Sequence, residues 1–210
     1  AAMERMQAGL AFARHLAHPQ SLVYGSRFMA QLHQLRGEPL LAQERAKEVI
    51  EISEEYGLEP WVAFGKIDLG WAIAELGEVQ RGIELIRQGL AAYGATGIRL
   101  WYPIFLGTLA DQLNKVQRIE EGLELIAEAL KCAEQSSESY GLAELHRIKG
   151  ELLLKSRDLP HAGQVPGNAS KVSSLSEARA CFSEALRIAK LQGSRSWELR
   201  AALSMHRLDL

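Results

Sequence analysis

The chain has 210 residues, of which 47% are hydrophobic and 24% are charged, so it can build a core of ordinary globular composition. Its 24 Lys and Arg against 26 Asp and Glu leave a net charge of −2, which excludes the basic excess that nucleic-acid or anionic-membrane binding needs. No apolar stretch approaches the roughly 18 residues of a membrane span, and two distant cysteines make no disulfide framework. We expect a cytoplasmic protein without nucleic-acid or membrane partners.

Apolar residues recur at helical spacing along the chain, as at Ile83, Ile86 and Leu90. Glycine and proline interrupt this pattern where one helix ends and the next begins. The predicted breaks are at Gly37–Pro39, Gly57–Pro60, Leu76–Gly77 and Ala95–Gly97. Since no alternating β pattern is present, the chain is predicted to be all-α, with about ten helices.

A shift of 40 residues superimposes the chain on itself, and each unit of this repeat holds two helices. Gly57 falls on Gly97 and Trp61 on Trp101. Two series contain only small residues, which mark the close crossing of two helices: Ala30, Gly70, Ala110 and Gly150, and then Ala42, Gly82 and Gly122.

The repeat frame places both ends of the chain inside a unit. Ala2, Met6 and Gly9 match the second-helix residues of the next unit, and residues 196–208 form a first helix. We therefore expect a fragment of a longer protein, with residues 1–210 as one repeat domain. One insert breaks the period at 157–174; its Pro, Gly and Ser content predicts a flexible loop. The capping box Ser174–Glu177 is predicted to restart the helix.

These units resemble the tetratricopeptide repeat, whose second helix reads Ala, three residues, Phe, and a small residue three further on. Ala178, Phe182 and Ala185 match that pattern closely, and Leu69-Gly70 resembles the first-helix signature. The resemblance implies a right-handed superhelix of antiparallel helix pairs, although these units are longer than the usual 34 residues.

A narrower resemblance covers nearly the whole chain. The segments that carry it are 70–75, 87–93, 144–154, 178–182 and 196–202. They are similar to the C-terminal repeat region of large bacterial signalling ATPases, in which a nucleotide-binding module precedes the repeats. A cyclase or a DNA-binding transcription-activator domain often stands at the N-terminus. The resemblance implies a sensing or scaffolding role and leaves the partners open.

The chain contains no constellation of catalytic or cofactor-binding residues. It has neither a phosphate-binding G-x-x-x-x-G-K-[ST] loop nor a G-x-G-x-x-G motif. His15 and His18 could share a helix face, but solvated side chains are the simpler interpretation because zinc needs three or four ligands. Cys132 and Cys181 are expected to be buried packing residues. We therefore expect no enzyme activity, no cofactor and no metal.

In such repeats the first helices line a concave groove. The candidate binding residues on this face are Tyr24, Arg27, Gln31, Trp71, Asp111, Asn114, Arg147 and Glu151. Their aromatic, Arg and amide character suits the recognition of a protein or peptide. The alternative is a plain hydrated groove with Trp71 packed under a neighbour.

Three functions are compared. The first is a protein-interaction and coupling module, whose partner is another protein, a peptide or a neighbouring domain of the same chain. The second is a sensor that holds a small effector in the groove. The third, an independent enzyme, lacks any converging acid–base or metal residues.

Overall fold

The computed structural model describes residues 2–156 and 168–209, with side chains given from 173 onward in the second range, and these residues contain helices and no strand. The helices are α1 (Ala2–Leu16), α2 (Pro19–Arg36), α3 (Pro39–Glu55), α4 (Glu59–Glu75), α5 (Val79–Ala95), α6 (Tyr102–Lys115), α7 (Ile119–Ser136), α8 (Leu142–Ser156), α9 (Asn168–Leu191) and α10 (Arg195–Asp209). The predicted all-α chain of about ten helices is confirmed over this part of the chain.

The predicted glycine and proline breaks separate the helices of the first half. Pro19, Pro39 and Pro60 lie within the first two positions of their helices, where the missing N–H costs nothing. Gly37 ends α2 with φ of 70°, a left-handed conformation that suits glycine. His18, predicted to be solvated at a helix end, is exposed and also caps α2: its Nδ1 accepts from the Ser21 N–H at 3.4 Å.

The insert predicted at 157–174 falls largely on residues 157–167, which lie outside the described residues. The predicted capping box is wrong, because α9 already begins at Asn168 and contains Ser174 within its length. Ser173 Oγ instead donates to Glu177 Oε1 at 2.8 Å along the helix. Residues 168–177 contain neither glycine nor proline, so nothing in the backbone requires a later start.

The contacts divide the chain into two compact units, Ala1–Ile98 and Arg99–Leu210. Within the first unit α2 packs on α3 and α4 on α5; within the second α6 packs on α7 and α8 on α9. We call α2, α4, α6, α8 and α10 first helices, and the odd-numbered helices second helices. The small-residue series of the sequence therefore lie on helices that pack as pairs.

The tightest described crossing joins α4 and α5 through glycine. A Cβ built on Gly70 would lie 2.7 Å from the Gly82 carbonyl oxygen and 2.9 Å from the Ile86 nitrogen. Near the other end of the pair, a Cβ on Gly89 would lie 2.8 Å from the Ala63 carbonyl oxygen. Real Cβ atoms do not approach backbone so closely, so only glycine permits this antiparallel contact.

We predict that Gly70→Ala lowers the free energy of unfolding by about 1–3 kcal/mol, because the new methyl group meets backbone that cannot move aside. Gly94→Ala is the matched control on α5, since a Cβ there has no neighbour within 4 Å. It should leave the stability unchanged or raise it by up to about 1 kcal/mol. Equal urea midpoints for the two variants would contradict the close crossing.

Candidate binding surface

The eight predicted groove residues lie on first helices, but they differ in exposure. Arg27, Trp71, Asn114 and Arg147 are buried, Gln31, Asp111 and Glu151 are half-buried, and Tyr24 is 50% exposed. A side chain that is buried within its own unit cannot offer its full surface to a partner. Their binding role stays a prediction, and the structure shows what each one contacts instead.

In the first unit, an aromatic cluster runs across α2, α4 and α5. It consists of Tyr24, Phe28, Trp61, Phe64 and Tyr93. Ring centroids lie 5.6 Å apart between Tyr24 and Trp61, 5.2 Å between Trp61 and Phe64, and 4.9 Å between Phe64 and Tyr93. These distances are typical of favourable aromatic pairs. Since Tyr24 is half exposed while Phe64 and Tyr93 are buried, the cluster reaches from the core to the surface.

Arg27 lies beneath this aromatic cluster and is 1% exposed. Its guanidinium carbon is 5.0 Å from the ring centroids of both Phe28 and Phe64. One guanidinium nitrogen donates to Gln31 Oε1 at 3.1 Å, and Nε lies 3.7 Å from Asp68 Oδ2 on α4. The ring faces, the amide and the carboxylate together compensate the loss of water around the charge.

Asp68 is the buried counterpart of Arg27, at 6% exposure. Its Oδ2 accepts no hydrogen bond within the described chain. Burial raises the pKa of this carboxyl to about 6, although the charge of Arg27 opposes the shift. Burial of a carboxyl group with one oxygen lacking a hydrogen bond favours its neutral form. Asp68 therefore titrates closer to neutral pH than an ordinary aspartate.

Trp71 packs against Ala42 and Ala72 in a buried cluster and is 7% exposed. Its contacts agree with the alternative in which this side chain packs under a neighbouring helix. Small residues on either side leave room for the large indole ring.

In the second unit, an ion-pair network centres on Arg147 of α8. Arg147 donates to both carboxylate oxygens of Glu144, at 2.9 and 2.8 Å, and its Nη2 lies 3.4 Å from Asp111 Oδ1 on α6. Its Nη1 is 3.6 Å from Glu151 Oε1. Burial works against the charge of Arg147, but the three carboxylates outweigh burial and raise its pKa.

Two arginines of α10 extend this network. Arg200 Nη2 lies 2.7 Å from Glu144 Oε1, and Arg207 Nη2 lies 2.6 Å from Glu151 Oε1. Ser204 Oγ donates to the same Glu151 oxygen at 2.6 Å. Three carboxylates and three guanidinium groups thus connect α6, α8 and α10. Such shared networks fix side-chain positions at a lower entropic cost than isolated surface pairs.

Asn114 adjoins this network without joining it through its side chain. Its backbone carbonyl accepts from Lys155 Nζ at 2.9 Å, while its side-chain Oδ1 is buried and accepts no hydrogen bond within the described chain. Of the predicted residues in this unit, Asp111, Arg147 and Glu151 are therefore brought together, and Asn114 lies beside them.

Several residues of the aromatic cluster, the buried ion pair and the ion-pair network are absent from the predicted set. They are Phe28, Trp61, Phe64, Tyr93, Asp68, Glu144, Arg200 and Arg207. Glu144 could have been found, since it precedes Arg147 by three residues on one helix face. Arg200 and Arg207 carried no such signal, because their partners lie on a different helix.

The remaining chemistry of the described residues is sparse. No group of three or more His, Cys, Asp or Glu in these ranges could hold a metal ion, and none of their helices has the length and hydropathy to cross a membrane. Cys132 and Cys181, predicted to be buried, are half-buried free thiols. Partial burial raises the pKa of Cys181, which disfavours a reactive thiolate.

We predict that Asp68 makes the protein lose stability as pH rises from about 4 to 7. Its folded pKa of about 6 exceeds the unfolded value of about 3.9, so the folded state binds the proton more tightly. The stabilisation is complete below about pH 4 and is lost as pH rises through 6. The variant Asp68→Asn lacks this pH-dependent stabilisation, because asparagine does not titrate. The control variant Glu54→Gln, at an exposed site, keeps it.

The measurement is the free energy of unfolding at intervals between pH 4 and 7 for wild type and both variants. The free energy of unfolding of wild type minus that of Asp68→Asn should fall by roughly 1–3 kcal/mol as pH rises from 4 to 7. A difference that does not change with pH would mean that Asp68 is ionised throughout.

Comparison with known proteins finds one relative in sequence and several solved structures with a similar fold. No protein-family model matches the chain. An uncharacterized protein of Rhizobium meliloti (strain 1021) is 25% identical over 210 residues, which are 100% of this chain and 19% of that protein. The chain thus spans about a fifth of the length of this curated relative.

Three solved structures resemble the chain. The apo form of RapI has a TM-score of 0.60 at 16% identity, covering 99% of this chain and 75% of RapI. BtubC (BKLC) from P. vanneervenii has a TM-score of 0.61 at 17% identity, and the match covers 100% of this chain and 90% of BtubC. The nearly identical TPR-like repeats of a Podosopora anserina kinesin light chain have a TM-score of 0.51 at 18% identity, and the match covers 91% of this chain and 96% of that one. The chain has the fold of a tetratricopeptide-like helical repeat protein.

Proposed function

We propose that the chain is a non-catalytic interaction and coupling module, the regulatory repeat arm of a multidomain bacterial signalling ATPase, cyclase or transcriptional regulator. The observation that carries the proposal is the aromatic cluster, which is buried at Phe64 and Tyr93 and presents Tyr24 at the surface. A half-exposed aromatic side chain on a fixed support is typical of the anchor residues of protein interfaces. The TPR-like fold supports a role in protein interaction.

The full-length match to a much longer relative supports the multidomain context. The ion-pair network supports a coupling role, because it connects three first helices of one unit through shared carboxylates. A partner that draws Asp111 or Glu151 away would change the pairing of Arg147 and thereby bias the packing of α6, α8 and α10.

The alternative of a small-effector sensor is less well supported. An acidic effector would need a cation, but Arg27 and Arg147 already engage Asp68 and Glu144 within their own units. Binding there would leave a buried carboxylate without its partner, which is costly.

The gene that encodes this chain tests the multidomain context. We expect a nucleotide-binding ATPase module in the same reading frame upstream of residue 1, with a cyclase or DNA-binding domain before it. Determining the complete coding sequence is the measurement. A short frame that contains only further repeats would contradict the regulatory arm and favour an independent adaptor.

A second test uses Tyr24 in the full-length protein. Tyr24→Ala should change the basal rate of ATP hydrolysis by about fivefold or more, the usual lower size of a coupling effect. Tyr56→Ala is the matched control, because Tyr56 is 53% exposed and follows α3 as its C-cap, outside the aromatic cluster. Equal rates for both variants and wild type would contradict coupling through this surface.

A further inference from the structure

A cleft of about 410 Å³ lies between the start of α6 and the end of α7. This volume is within the range of small-ligand pockets, about 300–1,000 Å³. The side chains that line it with polar or reactive groups are Arg99, Tyr102, Glu128, Cys132, Gln135 and Ser136. None of them is among the predicted groove residues, whose arginines are already paired with carboxylates, so the cleft is a separate surface.

The repeat places an equivalent cleft in the preceding helix pair. Between α4 and α5, a cleft of about 400 Å³ is lined by Glu59, Val62, Ala63, Ala92, Ala95 and Thr96. A shift of 40 residues converts these positions to Arg99, Tyr102, Pro103, Cys132, Gln135 and Ser136. Helix packing therefore creates the space in both pairs, and the side chains decide what it can hold. Tyr102 and Cys132, which carry a hydroxyl and a thiol, replace aliphatic residues.

In the following helix pair, α8 and α9, the protein joins the two edges of the equivalent gap itself. Ser139 corresponds to Arg99, and Gln192 corresponds to Ser136 across the insert. The Gln192 side-chain amide donates to the Ser139 carbonyl oxygen at 2.7 Å. No hydrogen bond within the described residues joins Arg99 to Ser136, so the cleft between α6 and α7 is left open.

Arg99 and Glu128 bring opposite charges to this cleft without pairing with each other. Neither forms an ion pair with any residue that the structure describes. By contrast Glu184, the counterpart of Glu128 on α9, accepts hydrogen bonds from Arg187 at 2.6 and 2.7 Å. Both charges act on the hydroxyl of Tyr102, because burial raises its pKa, Glu128 raises it further and Arg99 lowers it. The cleft therefore offers a cation and an anion to one bound molecule.

The first turn of α6 is unwound relative to the preceding repeat. Helix α4 begins at Glu59, whose counterpart is Arg99, but α6 begins only at Tyr102. Pro103 is the physical reason, because it has no N–H for the carbonyl of residue 99 and its ring would clash with that carbonyl in a helix. Arg99 therefore lies in the turn before the helix.

Contacts within the second unit hold this turn in place. Trp101 is in the left-handed region with φ of 63°, which costs energy in a non-glycine residue and is common at functional sites. Its N–H donates to both carboxylate oxygens of Glu138, at 3.1 and 3.2 Å. The guanidinium carbon of Arg99 lies 5.5 Å from the ring centroid of Tyr102, a cation–π distance. The cation is therefore positioned before a ligand arrives, which lowers the entropic cost of binding.

We propose that this cleft binds a small zwitterion of the α-amino-acid class, with its carboxylate on Arg99 and its ammonium group on Glu128. A molecule that carries both charges satisfies the two side chains at once, whereas a simple anion would meet Glu128 and a simple cation would meet Arg99. The amide of Gln135 and the hydroxyl of Tyr102 supply further hydrogen bonds. This site is independent of the coupling role, which concerns the surface around Tyr24.

The test is isothermal titration calorimetry of the 210-residue chain with each of the common free amino acids. We expect saturable binding of at least one of them, with one molecule per chain. Its N-acetylated form lacks the ammonium group and its C-amidated form lacks the carboxylate. Each of these forms should bind about tenfold more weakly, because one charge-assisted contact is lost.

Two variants assign the two charges. Arg99→Gln should weaken binding of the free amino acid about tenfold and leave binding of the amidated form unchanged, since that form has no carboxylate to lose. Glu128→Gln should weaken binding of the free amino acid to the same extent and leave binding of the acetylated form unchanged. The matched controls are Lys131→Gln and Glu124→Gln, which remove exposed charges of α7 outside the cleft and should leave every affinity unchanged.

Alkylation of Cys132 by iodoacetamide, followed by mass spectrometry, locates the ligand. The reaction of this cleft thiol should slow when the amino acid is bound, while that of Cys181 on α9 should not. Because Arg99 and Glu128 are exposed, their ligand-free variants should melt at the wild-type temperature.

Three results would overturn the proposal. The first is that no free amino acid binds. The second is binding that Arg99→Gln and Glu128→Gln leave unchanged, which would place the ligand elsewhere. The third is equal affinity for the free, acetylated and amidated forms, which would mean that the ligand's charges are not recognised.

Discussion

The close approach of α4 and α5 is the constraint on which the first unit depends. Backbone lies against backbone because Gly70 and Gly82 carry no side chain at the crossing. This approach brings Phe64 within 4.9 Å of Tyr93, and α4 also carries Asp68, which faces Arg27. The positions of the aromatic cluster and of the buried ion pair therefore follow from two residues without side chains.

In the second unit a first helix and a second helix also pack closely, but a large side chain lies at the contact. Gly150 of α8 packs against the ring of Phe182 on α9, whose Cε1 occupies the space that a Cβ would need. A large ring here fills the volume that a second close backbone would fill elsewhere. One turn earlier on α8, Arg147 joins three carboxylates. Both α4 and α8 thus combine close apolar packing against their second helix with an aromatic cluster or an ion-pair network toward other first helices.

The Arg27–Asp68 pair and the ion-pair network around Arg147 differ in how many opposite charges surround each buried charge. Arg27 and Asp68 are a nearly isolated pair under aromatic rings, and burial raises the pKa of Asp68. Arg147 has several carboxylates and keeps its charge firmly. The number of counter-charges decides the difference, because each added carboxylate offsets part of the desolvation cost of the same guanidinium group. We therefore expect the stability of the first unit to depend on pH through Asp68, whereas the charge of Arg147 is held by its carboxylates.

The sequence by itself determined the helices, their pairing and most of their boundaries, because hydrophobic period, glycine and proline act over a few residues. It also marked the helix crossings, since the recurrence of small residues has a steric cause. Its capping box at Ser174 was wrong because a local motif also fits within a continuing helix.

Only the tertiary structure decided which groove candidates are accessible. Arg27, Trp71 and Arg147 lie three or four residues from less buried side chains, which are Tyr24, Glu75 and Glu151. Their own burial depends on Asp68, Ala42 and Asp111, which lie on other helices. Contacts between helices depend on how the backbones pack, and no spacing within a single helix encodes them.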